Sequence, residues 1–236
     1  MLVFPRSLMR DRRWTPELVA KTASGGKTLS GVVPIVRVDG GGLWALTMDE
    51  IQASTEDQVR TWRALEAMLD GGATAMVVPM REERFFPAPT VSGARLLSNE
   101  TTNSDNSYLD DDTPYEGSVV NAIVQEGAAL RATSLKIAVS AGAALRGGEL
   151  FSIRHPVHLD RTYRVASVNA TTNSYTEVSI RPPLREAVTL GTWCNFDYPS
   201  CVMQLAEPSA MRLALERRFH GSGSITWVES FPPFST

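Results

Sequence analysis

Apolar and polar positions alternate along much of the chain, and this pattern predicts short β-strands with a single helix. Residues 32–38, Val-Val-Pro-Ile-Val-Arg-Val, form a β-branched run of the kind that packs on a pleated surface. Asp39-Gly40-Gly41-Gly42 offers positive-φ turn positions, and Leu43 to Met48 returns as a second strand. A β-hairpin is therefore expected over 32–48. The period then changes. Ser54 or Thr55 is placed to cap a helix, with Glu56 and Asp57 at its positive dipole end. Val59, Trp62, Leu65 and Met68/Leu69 recur at helical spacing, and Gly71-Gly72 supplies the stop. Residues 73–79 read as a strand that follows the helix.

Composition shifts near residue 81. Arg81 to Pro89 is charged and then rich in Phe and Pro, and residues 98–118 are dominated by Ser, Thr, Asn and Asp, with Asp110-Asp111-Asp112 in the middle. This reads as a linker followed by a long polar loop, a type of segment that tends to serve an interface. From 119 the strand pattern resumes. Leu135 to Val139, Leu150 to Ile153, Tyr163 to Val168, Thr176 to Ile180 and Thr192 to Phe196 are short strands, and Asn169 to Tyr175 is a polar hairpin loop. Pro182-Pro183 ends the fourth of these, because proline cannot donate to a ladder. Regular short strands with turn signals between them predict a small barrel or sandwich. At the C-terminal end Met211, Leu213 and Leu215 alternate with Arg212, Ala214 and Glu216, His220 to Gly223 reads as a turn, and Ile225, Trp227 and Phe231 lie on the return strand. A helix over 209–219 competes with this reading, and the Gly-rich turn favours the strand. All five tryptophans, Trp14, Trp44, Trp62, Trp193 and Trp227, fall in elements expected to be buried.

Charge and cysteine content narrow the function. A net charge of -3 gives no support to nucleic-acid recognition. Two cysteines, Cys194 and Cys201, are too few for a disulfide scaffold, and two buried reduced thiols are expected, with a single Cys194–Cys201 bridge as the alternative. No signal peptide is recognised at the N-terminus and no apolar run is long enough to span a membrane, so synthesis in a cytoplasm is expected.

Motifs suggestive of chemistry fail on their spacing. Gly26-Lys27-Thr28 resembles the end of a phosphate-binding loop, but Lys21 stands where its first glycine belongs and a strand follows. His155, His158 and Asp160 lie close in sequence, but Pro156 between the histidines spoils a shared helical face. The aspartates of 105–112 lack the alternate spacing and closing glutamate of a calcium loop. No nucleophile motif and no distinctive carboxylate pair occurs. Neither an enzyme nor a cofactor is expected.

Two stretches carry a resemblance. The first is Gly147-Gly148-Glu149-Leu150-Phe151-Ser152-Ile153 with Arg161-Thr162-Tyr163-Arg164-Val165, Ile180-Arg181-Pro182-Pro183-Leu184-Arg185, Phe196 and Pro199. It resembles β-domains of tail-tip proteins in long-tailed phages and phage-derived tails. The second, Ser224 to Phe231, is similar to the closing strand of distal tail proteins. The resemblance implies a mainly β protein with one packed helix. Residues 1–80 plus 205–236 would form a ring-building, tail-tube-like domain, 81–118 a linker and loop, and 119–204 an inserted β-barrel. The implied function is structural, in the virion tail: a hexameric ring at the tail tip, partnered by itself, the tail tube protein, and hub, baseplate and fibre proteins. Loops 21–31 and 98–118 are the candidate contacts, with Lys21, Lys27, Asp105, Asp110, Asp111, Asp112 and Tyr115 as interface residues. Another tail subunit (tube, terminator or hub) and a carbohydrate-binding β module are the alternatives.

Overall fold

The computed structural model describes the chain except residues 10–12, 21, 25, 27–29, 31–32, 34, 38–39, 81–84, 98, 102–114, 218–219 and 232–236. The protein is mainly β with one α-helix, and it divides into two compact units, Met1–Met80 with Ser200–Thr236, and Arg81–Pro199. In chain order the first unit opens with β1 (Leu2–Val3), β2 (Arg13–Val19), β3 (Thr22–Ser24), β4 (Ile35–Arg37), β5 (Leu43–Ala53), α1 (Glu56–Leu69) and β6 (Met76–Pro79). The second unit holds β7 (Thr90–Val91), β8 (Ala94–Arg95), β9 (Asn99–Thr101), β10 (Tyr115–Gly117), β11 (Asn121–Val124), β12 (Ser134–Ala141), β13 (Leu150–His155), β14 (Leu159–Thr171) and β15 (Thr176–Arg181). The chain returns to the first unit with β16 (Ser200–Leu205), β17 (Met211–Arg217) and β18 (His220–Glu229). Among the described residues no helix is long and apolar enough to cross a membrane.

The first unit is built on a seven-stranded sheet ordered β1-β6-β16-β18-β5-β2, with β17 also paired to β18. β5 shows how its sequence sets its face. Trp44, Leu46 and Met48 point inward at every second position, and then Ile51 and Ala53 do so, on the opposite parity. The switch lies at Glu50, whose φ of 57° marks a bulge facing the register break between Gly223 and Ile225 of β18. One extra residue in a strand resets which side chains reach the core. Helix α1 forms as its residues predict. Thr55 accepts the Gln58 N–H and the Gln58 side chain accepts the Thr55 N–H, a capping box. Val59, Trp62, Leu65 and Leu69 form the buried stripe, while Met68 is exposed. Gly72, at φ 97°, ends this region against Leu205, whose Cβ would lie 3.3 Å from an added side chain.

Three expectations are corrected here. The hairpin expected over 32–48 is not formed by its described residues: β4 (Ile35–Arg37) pairs with β3, and β5 takes β2 and β18 as neighbours. β2 contains Pro16, opposite Leu46, which argues against a central strand. The sheet places it at the edge, where a missing N–H leaves no neighbouring strand without a donor. The Gly42 turn brings β5 against β2 so closely that a Cβ there would meet the Val19 carbonyl at 2.8 Å. Second, Gly221 to Gly223 form strand rather than turn, paired to β17 on one side and β5 on the other. Third, residues 200–204 belong to the first unit and not to the inserted one, because β16 pairs with both β6 and β18. The strand reading of 211–217 agrees with the structure.

The second unit is a curled antiparallel sheet ordered β11-β12-β15-β14-β13. The segment Thr192–Asn195 spans its two edges. Val124 N–H donates to Thr192 O (2.8 Å), Cys194 N–H donates to Ala122 O (2.9 Å), and Ser152 and Asn195 exchange both backbone bonds (2.9 and 2.8 Å). Bonding of both edge strands by one segment closes the sheet and removes its open edges. Inside, Phe151 stacks on Phe196 at 5.1 Å and lies 5.7 Å from Tyr163. Phe86 and Ala88 are also buried in this core, and Ala143 N–H donates to Pro87 O. The 85–89 stretch, expected to be linker, is therefore packed core.

Candidate functional site

Of the interface positions read from the sequence, Tyr115 lies on a small two-stranded ribbon separate from the main sheets. Lys21, Lys27, Asp105, Asp110, Asp111 and Asp112 lie outside the described residues. Tyr115 opens β10, which pairs antiparallel with β9 so that Tyr115 faces Thr101 and Gly117 faces Asn99. The β3–β4 ribbon flanks the other loop, pairing Thr22 with Arg37 and Ser24 with Ile35. The two ribbons pair Ser24 with Ile35 and Thr101 with Tyr115. Beyond Lys27 and Thr28 the next described element is β4, a strand, as the phosphate-loop argument required.

Where the β10 ribbon runs into the barrel, Asp197 ties the junction. Its carboxylate accepts the N–H of Val119 (3.2 Å) and Val120 (3.0 Å) and the hydroxyl of Ser118. Asp197 is 6% exposed, so these charge-assisted bonds satisfy backbone groups that water does not reach. Sequence reasoning missed this residue, because nothing local links position 197 to position 119. A comparable buried carboxylate in the first unit, Glu229, accepts the Trp44 N–H at 3.1 Å.

The residues weighed for metal binding are brought together in a different role. His155 and Leu159 close the β13–β14 hairpin, with Leu159 at φ 56°. The Glu186 carboxylate accepts the N–H groups of Val157 and His158, both at 3.1 Å, and the Arg161 Nε donates to His158 O at 2.7 Å. His155 Nε2 lies 2.8 Å from the Tyr163 hydroxyl, which also accepts the Arg185 N–H at 3.0 Å. His155 Nδ1 is buried with no hydrogen-bond partner among the described residues. Asp160 lies 3.9 Å from Arg154. No group of three or more metal-ligating side chains is found among the described residues. Glu186 and Arg161 carry this hairpin, and neither stood out in the sequence because their partners are backbone groups.

Burial pushes the His155 imidazole down to about 4. Glu186 acts in the opposite direction, and the charges of Arg161 and His158 act with the burial. An unfolded histidine keeps its ordinary value near 6.5. Between these values the unfolded chain binds the extra proton, so the stability that neutral His155 confers is complete above pH 6.5 and is lost as pH falls through 4. The expected loss is on the order of 3 kcal/mol. Burial also raises Asp160, which opposes the loss at the acid end of the window. Urea titrations from pH 7 to pH 4 check this: the slope of stability against pH is expected to flatten in His155→Gln. An unchanged slope would assign the acid sensitivity to other groups.

The cysteines lie in different units, neither forms a disulfide and both are buried, Cys194 in the inserted unit and Cys201 on β16. Burial pushes the Cys194 thiol up to about 12, which makes it a poor nucleophile. Trp44, Trp62 and Trp227 are core residues, and Trp14 is half-buried. Trp193 corrects the expectation for the tryptophans. It is 48% exposed, because its strand neighbour Cys194 and then Phe196 take the inward positions and parity turns Trp193 outward.

Comparison with known proteins finds no family model that matches this chain and no curated protein similar to it.

Proposed function

We propose that the protein is a structural component of a phage-type tail, the distal tail protein whose ring joins the tail tube to the hub or baseplate. The observation that carries this reading is the division of the chain. Its two ends, 1–80 and 200–236, build one sheet with a packed helix, and a separate curled β unit is inserted between them. That is the body plan implied by the resemblance of the 147–199 and 224–231 stretches. The β17 strand adds support, since among the described residues it pairs only with β18, and an open strand edge is a natural surface for self-association. The acidic run at 110–112, between β9 and β10, is the candidate contact to a neighbouring tail subunit.

The test is the mass of the purified protein by light scattering, with electron microscopy of the same peak. A closed ring with a lumen is the expected result. Replacing residues 102–114 by a short turn, which keeps β9 paired with β10, is expected to give a folded chain that no longer joins its partners. A wild-type chain that stays monomeric at every concentration would remove the ring, and normal tail assembly by the shortened chain would remove the role of the loop.

A further inference from the structure

The tip of the β13–β14 hairpin, residues 156–158, is held by side-chain ties. The Glu186 carboxylate accepts the N–H groups of Val157 and His158, and the Arg161 Nε donates to His158 O. The loop that supplies Glu186 is anchored on its own. Leu184 N–H donates to Ala132 O, Arg131 N–H donates to Leu184 O, and Val188 exchanges both backbone bonds with Ala128, each at 2.9 Å. Behind the tip the ladder continues, with Phe151, Ser152 and Ile153 opposite Tyr163, Thr162 and Arg161. A tip pinned by side chains to a separately anchored loop can open while the sheet stays closed. Opening also relieves Leu159, whose φ of 56° is unfavourable for a residue with a side chain.

His155 sits at the base of this tip and is 2% exposed. Its Nε2 lies 2.8 Å from the Tyr163 hydroxyl, while Nδ1 has no hydrogen-bond partner among the described residues. A neutral imidazole tolerates this, because one of its nitrogens carries no proton. In the imidazolium both nitrogens are donors, and the Nδ1–H becomes a buried, charged donor with no acceptor among the described residues. The charged groups around the ring divide. Glu186, on the loop, favours the cation, and Arg161 of β14 and His158 of the turn oppose it. Arg185 adds a further cation beside Glu186. Asp160, 3.9 Å from Arg154, has its carboxyl raised by burial and so acts against opening in acid.

We propose that this tip is an acid-released latch: when His155 takes up a proton, residues 156–158 leave Glu186 and the ring reaches water, while the sheet behind them stays closed. Burial holds the imidazole of the closed tip down to about 4, against about 6.5 in water. The open tip therefore binds the extra proton, so opening is favoured as pH falls below about 6.5, and the gain levels off below about 4. The opening equilibrium is expected to grow about 20-fold from pH 7 to pH 5 and about 100-fold from pH 7 to pH 4. The latch belongs to the inserted unit and is independent of ring formation.

Amide exchange on the full chain, followed by NMR at pH 7, 5 and 4 and corrected for the intrinsic pH dependence of exchange, tests it. Protection at Val157 and His158 is expected to fall by those factors. Val165 and Ile180, whose N–H groups donate to Glu149 O and Thr133 O, are expected to keep theirs. In His155→Gln, protection at the tip is expected to be the same at every pH. Unchanged protection at Val157 and His158 down to pH 4 would overturn the latch, and so would an equal loss at Val165 and Ile180, which is global unfolding. A His155→Gln tip that still opens in acid would overturn the role of His155. Should that variant fail to fold, the wild-type imidazole decides. A His155 midpoint at or above the ordinary histidine value removes the driving force and the proposal with it, and a midpoint well below that value, together with loss confined to the tip, sustains it.

Discussion

Trp227→Ala is expected to destabilise the first unit by about 4 kcal/mol, within the range for truncating a buried large aromatic. Trp227 is fully buried at the centre of the sheet, opposite Leu46 across the β18–β5 pair, and meets the edge of Phe4 at 6.0 Å and 87°. Its removal leaves a cavity walled by β-strands whose backbone bonds resist collapse, which is the condition under which truncation costs most. Trp227→Phe separates size from chemistry. The indole N–H is buried without a partner among the described residues, so phenylalanine removes an unsatisfied donor while keeping most of the ring. A far smaller loss, about 1 kcal/mol, is expected for it. Chemical denaturation followed by circular dichroism measures both. A loss in Trp227→Ala no larger than in Trp227→Phe would mean that the sheet closes over the gap.

Asp197→Ala should destabilise the inserted unit by about 3 kcal/mol. The cost comes from what is left behind more than from what is removed. The N–H groups of Val119 and Val120 would remain buried with no acceptor, and each such orphan costs about 1–3 kcal/mol. Asp197→Asn keeps one acceptor oxygen and should lose about half as much. Amide exchange at Val119 and Val120 reads the local effect, and thermal melting reads the global one. Protection that survives in Asp197→Ala would show that those amides are shielded by packing alone. Because the same carboxylate holds the start of the barrel next to β10, this variant also tests whether the candidate interface ribbon depends on the junction for its order.

Periodicity made much of this architecture legible. Helix α1 was readable because its cap and apolar stripe are local signals, although the left-handed residue that ends it is Asp70 (φ 45°), one position ahead of the expected Gly71-Gly72 stop. Strands β12 to β15 of the inserted unit were readable because a half-buried strand shows its alternation without reference to its partners, whereas β9 and β10 fall within the segment read as a polar loop. The β17 strand was readable for the same reason.

Pairing was not readable, because it is decided by residues distant in the chain. Nothing within 32–48 says that β5 will take β2 and β18 as neighbours, or that Pro16 will be tolerated because β2 ends up at an edge. Glycines 221 and 223 carry a turn signal in the sequence, yet become central strand because β5 and β17 supply hydrogen bonds on both sides. Trp193 looked like core, and Cys194 took the inward position. The buried carboxylates Asp197 and Glu229 and the half-buried Glu186 are indistinguishable in the sequence from surface acids, since their partners are backbone N–H groups that the fold brings to them. The chain by itself therefore determined element type and periodicity, which follow from local sterics and side-chain burial. Only the tertiary structure decided strand order, register and the burial of individual charges, because those depend on which distant backbone groups come within hydrogen-bonding distance.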